Sequence, residues 1–244
     1  MKNIKFTVVV LLLYGSYLTT KAQKTGQSLI ADGAKIEQAG SGYAFTEGPA
    51  VAQDGSVYFT DQPNDRIYVW SEEEGISLWL EGTGRSNGMY FDPDNRLVTC
   101  ADEETQLAYF DENKNLITLC DSYDGKHLNG PNDVWVTPDG AYYFTDPYYH
   151  RNWWVDGHKE IQDVRGVYYL SSDKVVTRVI DDFKTPNGLI GTPDGKMLYV
   201  ADIEDDKTWR YNIEPDGRLT NKTFFAPKGY LPPNRLRICI MFTI

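Results

Sequence analysis

The chain has 244 residues, 41% of them hydrophobic, with 24 basic against 35 acidic side chains and a net charge of −11. That length fits one large all-β domain without requiring two, and the acidity opposes a phosphate backbone, which excludes nucleic acid as the expected partner. Three cysteines, Cys100, Cys120 and Cys239, fall far short of a disulfide scaffold, and three histidines without zinc spacing give little basis for a Cys/His zinc site.

The first predicted element is a leader. Lys2 and Lys5 border an apolar stretch from Ile4 to Leu13, and Thr20-Lys21-Ala22 resembles a small-residue cleavage site. Residues 1–22 therefore read as a secretory signal peptide, too short for a comfortable membrane span, with an uncleaved anchor as the alternative. No Cys lies near Ala22 to carry a lipid. Cleavage would remove three lysines and no acid, taking the net charge from −11 to −14 and leaving a periplasmic or secreted protein with no membrane attachment.

From there a pattern recurs four times. Copies open at Glu47, Asn87, Asn132 and Asn187, separated by 40, 45 and 55 residues. Each reaches an Asp seven positions on (Asp54, Asp94, Asp139, Asp194), then Gly or Asn, a short apolar run and a landing Asp (Asp61, Asp102, Asp146, Asp202). Two apolar runs joined by a turn such as Pro138-Asp139-Gly140 signal a hairpin. Third strands follow at Arg66–Trp70, Gly166–Leu170 and Thr208–Tyr211, and fourth strands at Ile76–Leu80, Leu116–Leu119 and Val175–Val179. No stretch of ten or more residues has helical periodicity. Four short strands per unit at this spacing are the signature of a β-propeller. The turn aspartates are expected to cap their own turns, and the landing aspartates could satisfy neighbouring amides. Cys100 and Cys120 are the one pair that could bridge, although buried free thiols fit the low count better. The longest interruption, Pro147 to Asp163, is rich in Tyr, Trp and His and follows a landing Asp; it reads as a lid over a central pocket or as an ordinary surface insertion.

The opening residues carry the candidate chemistry. Glu47, Asn132 and Asn187 supply one carboxylate and two amide carbonyls, hard oxygen donors suited to Ca²⁺ or another divalent cation such as Mg²⁺, Mn²⁺ or Zn²⁺. Asn87, in Ser86-Asn87-Gly88, belongs to the same phase, with a plain Asn-Gly turn as the alternative.

The ordered motifs Glu47-Gly48-Pro49, His127-Leu128-Asn129-Gly130-Pro131-Asn132-Asp133-Val134, Tyr143-Phe144-Thr145-Asp146-Pro147, Arg165-Gly166-Val167-Tyr168 and Pro186-Asn187-Gly188-Leu189 resemble the SMP-30/gluconolactonase family, especially its bacterial gluconolactonase-like branch. The match runs from about Glu47 to Lys228. It implies a six-bladed β-propeller around a divalent cation, commonly Ca²⁺, and hydrolysis of sugar lactones or related esters. By the same resemblance Glu47 and Asn187 are metal ligands and Asn132 is a ligand or substrate contact. His127, Asn129 and the Tyr148/Tyr149 loop lie near the substrate. The implied mechanism polarises the lactone carbonyl on the cation, and a carboxylate takes a proton from the attacking water.

In that family a further Asp, metal ligand and acid/base, opens the next blade. Here it is due between about residues 227 and 242 by the repeat interval, yet the sequence has no Asp or Glu after Asp216 and turns basic and apolar. The catalytic acid/base is thus unassigned. The expected organisation is a partial propeller of about four to five blades over residues 23–229 and an aberrant tail, 230–244, from truncation or frameshift, with a natural short form as the alternative. Competing functions are an aryl- or phosphotriester hydrolase on the same metal, and a non-catalytic ligand- or glycan-binding propeller in which Trp153-Trp154 stacks on sugars.

Overall fold

The structure is a computed structural model that describes residues 37–154 and 159–227. The chain divides into Met1–Gln38 and Ala39–Ile244, and all that follows concerns the second part. The expected leader, 1–22, the expected aberrant tail, 230–244, with Cys239, and nearly all of the stretch where a further Asp is due lie outside the described residues.

Short runs rich in aromatic and β-branched residues, punctuated by Asp-Gly and Asp-Asn turns, form four antiparallel four-stranded sheets in simple sequence order. The first holds β1 (Thr46–Val51), β2 (Val57–Asp61), β3 (Arg66–Ser71) and β4 (Gly75–Glu81). The second holds β5 (Ser86–Phe91), β6 (Leu97–Ala101), β7 (Gln106–Phe110) and β8 (Leu116–Cys120). A two-stranded hairpin, β9 (Ser122–Tyr123) and β10 (Lys126–His127), which the sequence reading missed, precedes the third sheet of β11 (Val134–Val136), β12 (Tyr142–Asp146), β13 (Gly166–Leu170) and β14 (Val176–Ile180). The fourth contains β15 (Pro186–Gly191), β16 (Met197–Asp202), β17 (Lys207–Ile213) and β18 (Leu219–Pro227). Each sheet begins at an opening residue or within two residues of it, so the four copies are four blades of a β-propeller.

Contacts between first strands set the arrangement: β1 packs on β5, β5 on β11 and β11 on β15. The first strand of every blade is therefore the inner one. Apolar layers fill the spaces between successive blades. Ile67, Met89, Leu97 and Phe110 lie between the first and second. Val98, Leu107, Val134, Phe144 and Tyr168 join the second to the third. Trp135, Tyr143, Val167, Leu198 and Val200 join the third to the fourth. Each fully buried side chain of this size contributes about 1.5–3 kcal/mol, so the inter-blade layers hold the inner strands at fixed separations. Cys100 is buried and Cys120 half-buried, both as free thiols.

The turn aspartates divide. Asp54 and Asp194 accept the N–H groups of Ser56 (2.9 Å) and Lys196 (3.1 Å), as expected of residues that cap their own turns. In the second and third blades the role moves two residues back. Asp92 takes the N–H groups of Asp94 and Arg96, and the Thr137 hydroxyl takes that of Ala141. Asp92 and Thr137 are buried, which makes them the better-shielded acceptors.

Candidate active site at the heads of the inner strands

The opening residues sit where the strand register slips. The pairing of β1 with β2 shifts between Glu47 and Ala50, β5 with β6 between Ser86 and Met89, and β15 with β16 between Pro186 and Leu189. In the third blade β11 starts only at Val134, after Asn132-Asp133. A register irregularity turns a side chain out of the sheet's alternation and re-aims it. The local sequence supports this, because Gly follows the opening residue in three blades: Gly48, Gly88 and Gly188.

Those glycines let inner strands touch. Gly48, at φ 50°, lies where a β-carbon would collide with the Asn87 carbonyl. The Gly88 N–H donates to the Asn132 carbonyl at 2.8 Å. Only the third blade departs, with Asp133 at the glycine position, and Asp133 occupies the space that Gly88 and Gly188 leave. Its carboxylate accepts the N–H of Val134 (3.0 Å) and, across to the fourth blade, that of Leu189 (2.9 Å). Burial raises the Asp133 carboxyl to about 7 against the pull of those two donors, and the Glu47 charge adds to the rise. Asp133 is a buried carboxylate at the strand heads that the sequence reading quoted but did not select; the signal was the one Asp among three glycines at the same phase. Gly88→Ala is expected to cost about 1–3 kcal/mol, the usual penalty of overpacking, because its β-carbon would meet the Asp133 carboxylate and lie 2.6 Å from the Asn132 carbonyl. Thermal unfolding of the variant checks this, and an unchanged midpoint would show that the inner strands have room to part.

Three of the four landing aspartates hold the entry to their inner strands. Asp61 accepts the N–H groups of Ala44 and Phe45, both at 3.0 Å. Asp146 accepts those of Asn129 (2.9 Å) and Gly130 (2.8 Å), and Asp202 those of Lys184 (2.9 Å) and Thr185 (3.0 Å). In all three blades the donors lie three and two residues before the opening residue. Burial lifts Asp146 to about 7, outweighing its two backbone donors.

The structure brings Glu47, Asn87, Asn132 and Asn187 to one end of the inner strands, as the spacing expects. Asn187 donates from Nδ2 to the Tyr149 hydroxyl at 3.0 Å and accepts the Gly188 N–H on Oδ1, which keeps a second lone pair. Burial raises the Tyr149 hydroxyl, with the Asn187 donor opposing. The Tyr148 ring instead stacks on Trp154 at 5.9 Å, so Tyr149 is the loop tyrosine at Asn187. The expected substrate contacts Asn129 and His127 are placed elsewhere. The fully buried Asn129 carboxamide takes the N–H groups of Ile161 and Gln162 (both 2.9 Å) and donates to the Val164 carbonyl, tying down the long loop. His127 is exposed on β10, and its carbonyl accepts from Gln162.

Among the described residues no three His, Cys, Asp or Glu side chains gather at metal-binding distance. A cation here would depend on the Glu47 carboxylate with the amide oxygens of Asn132 and Asn187, an oxygen-only set that fits a hard divalent ion. The Glu47 charge beside buried Asp133 is a repulsion that such an ion would relieve.

Comparison with known proteins agrees with the propeller fold. Residues 45–231 match the SMP-30/Gluconolactonase/LRE-like region. The chain is 28% identical to the gluconolactonase of Zymomonas mobilis over 205 residues, covering 77% of this chain and 58% of that one. It superimposes on a gluconolactonase from Xanthomonas campestris with a TM-score of 0.70 at 29% identity, covering 75% of this chain and 63% of the other. A calcium-binding regucalcin from Agrobacterium tumefaciens shares the fold with a TM-score of 0.58 at 16% identity, over 76% of this chain and 60% of that one. The chain thus spans less than two thirds of the length of these relatives.

Proposed function

Since the chain belongs to the SMP-30/gluconolactonase family, we propose that it is a lactonase-type hydrolase whose substrates are sugar lactones, with the site at the heads of the inner strands. The observation that supports this reading is that Glu47 and Asn187 lie at register shifts and Asn132 just ahead of its strand, each at the head of an inner strand, with the Glu47 charge felt by buried Asp133.

Glu47, Asn132 and Asn187 would hold a divalent cation, Ca²⁺ first among the candidates. When bound, such an ion supplies Lewis-acid polarisation of a carbonyl and charge stabilisation. The chain's own residues do the rest. Asp133 fixes the inner strands of the third and fourth blades at one spacing through the Leu189 N–H. Tyr149 orients the Asn187 carboxamide, leaving a lone pair of Oδ1 for the site. The aromatic segment of Tyr148, Tyr149, Trp153 and Trp154 offers flat apolar faces to a sugar ring. We assign no general base among these residues. Export to the periplasm or medium, through the leader at 1–22, is part of the proposal.

The test is hydrolysis of glucono-1,5-lactone by the purified chain, followed as acid release with Ca²⁺ and again with chelator. Turnover that chelator abolishes is the expected result; no hydrolysis of any sugar lactone, or equal hydrolysis in chelator, sinks the reading.

A further inference from the structure

Three of the four landing aspartates spend their carboxylates on the same two backbone positions, and Asp102 does not. The equivalent positions in the second blade are Gly84 and Arg85. The Arg85 N–H donates to Asp65 Oδ1 at 2.7 Å, and the same oxygen takes the N–H and hydroxyl of Thr83, both at 2.9 Å. Asp65 belongs to the turn between β2 and β3 of the first blade, where it adopts φ 55°. A neighbouring blade has taken over the anchoring task, leaving Asp102 free although only 2% exposed.

Its carboxylate is used on the long loop instead. Arg151 Nε lies 2.7 Å from Asp102 Oδ2, which also accepts from Gln62 Nε2 at 3.1 Å. The Asp102 carbonyl accepts the Trp154 indole N–H at 3.0 Å. Arg151 in turn sits over two rings, 5.1 Å from Tyr149 and 5.3 Å from Trp153, and Tyr149 meets Asn187. Gly130 leaves the space for this, since a β-carbon there would stand 2.9 Å from Asp102 Oδ1 and 3.3 Å from Trp154. One run of contacts therefore leads from Asp102 through Arg151 and Tyr149 to Asn187, joining the second blade to the fourth by a loop of the third.

We propose that Asp102 is a positioning residue: relieved of anchoring its own blade, it holds Arg151 and Trp154 so that the segment 147–154 stays folded over the strand heads and sets Tyr149 against Asn187 for substrate recognition. The proposal rests on the lactonase reading for its substrate and on the contacts alone for the position of the segment. A half-buried cation between a buried carboxylate and two aromatic faces is a directional latch, because moving the loop would strand Asp102 as an unpaired buried charge.

The variants are Asp102→Asn, Arg151→Met and the pair together, with Asp146→Asn as the comparison for an aspartate that anchors backbone. Iodide quenching of tryptophan emission, corrected with a Trp153→Phe/Trp154→Phe background, reports the segment without needing activity. Quenching is expected to rise in both single variants, and the double variant to show no more than the larger of them. On glucono-1,5-lactone, kcat/KM is expected to fall about 10- to 100-fold, the scale of a misplaced positioning group, mainly through KM. The thermal midpoint should drop less than in Asp146→Asn. Unchanged quenching in Asp102→Asn, or a midpoint loss as large as that of Asp146→Asn with no change in KM, overturns the proposal. If the wild-type chain hydrolyses no lactone, the lactonase reading fails, and the quenching result alone still decides whether Asp102 holds the segment.

Discussion

Glu47→Gln is expected to abolish the stabilisation that Ca²⁺ gives this fold and to lower lactone hydrolysis by about 10²–10³-fold, the range seen when one preorganised electrostatic group is lost. Glu47 is the carboxylate among the three proposed donors, and its charge is felt by buried Asp133. Calcium at about 100 times its dissociation constant would stabilise the folded state by about 2.7 kcal/mol. In a domain of this size that shifts the midpoint by roughly 5–10 °C. Glutamine keeps the shape and one oxygen but removes the charge that attracts a hard cation. Scanning calorimetry in Ca²⁺ and in chelator measures the shift in the chain as it stands. An intact shift in Glu47→Gln would remove Glu47 from the ligand set and, with it, the main reason for placing a cation at the strand heads.

Asp146→Ala is expected to be the most destabilising single change, by about 2–6 kcal/mol, since two buried N–H groups lose their acceptor at about 1–3 kcal/mol each. Those groups belong to Asn129 and Gly130, immediately before Asn132, so the entry to the third inner strand would loosen with them. The same aspartate gives the fold a pH dependence. Its carboxyl is raised to about 7 in the folded chain by burial, against about 3.9 unfolded. The folded state therefore binds the proton more tightly. The resulting stabilisation is complete below about pH 3.9 and is lost as pH rises through about 7. Chemical unfolding at pH 5.5 and pH 8 should show that contribution in the wild type and its absence in Asp146→Asn. A wild type whose stability rises with pH by more in the presence of Asp146 than in its absence would contradict the burial argument.

Much of this architecture was legible because it depends on local pattern. Strands follow from short apolar runs and from Asp-Gly turns, and the four first strands were found by a single phase in the sequence. The same phase located Glu47, Asn87, Asn132 and Asn187 at one end of the inner strands. Where the sequence reading missed, the deciding partner was distant. Asn129 lies in the motif beside Asn132, but its carboxamide is used on Ile161 and Gln162, 32 and 33 residues away. Tyr148 and Tyr149 are indistinguishable by composition, and only the turn of the loop decides which one meets Asn187. Asp94 and Asp139 fit the turn motif, yet the buried acceptors two residues earlier took their place.

The sequence by itself determined the all-β repeat, the starts of the four inner strands and the placement of Glu47, Asn87, Asn132 and Asn187 at the strand heads, because turn chemistry and short apolar runs act over a few residues. The tertiary structure decided how identical motif positions divide their work. Four landing aspartates look alike in sequence. Three anchor backbone amides of their own blade, while the fourth is released by Asp65 and turned toward Arg151. Asp133 gains its place only because glycines of two other blades leave room for it, with a partner 56 residues away at Leu189. A buried carboxylate must find donors wherever the fold brings them, and which donors arrive is fixed by the packing of one blade on the next.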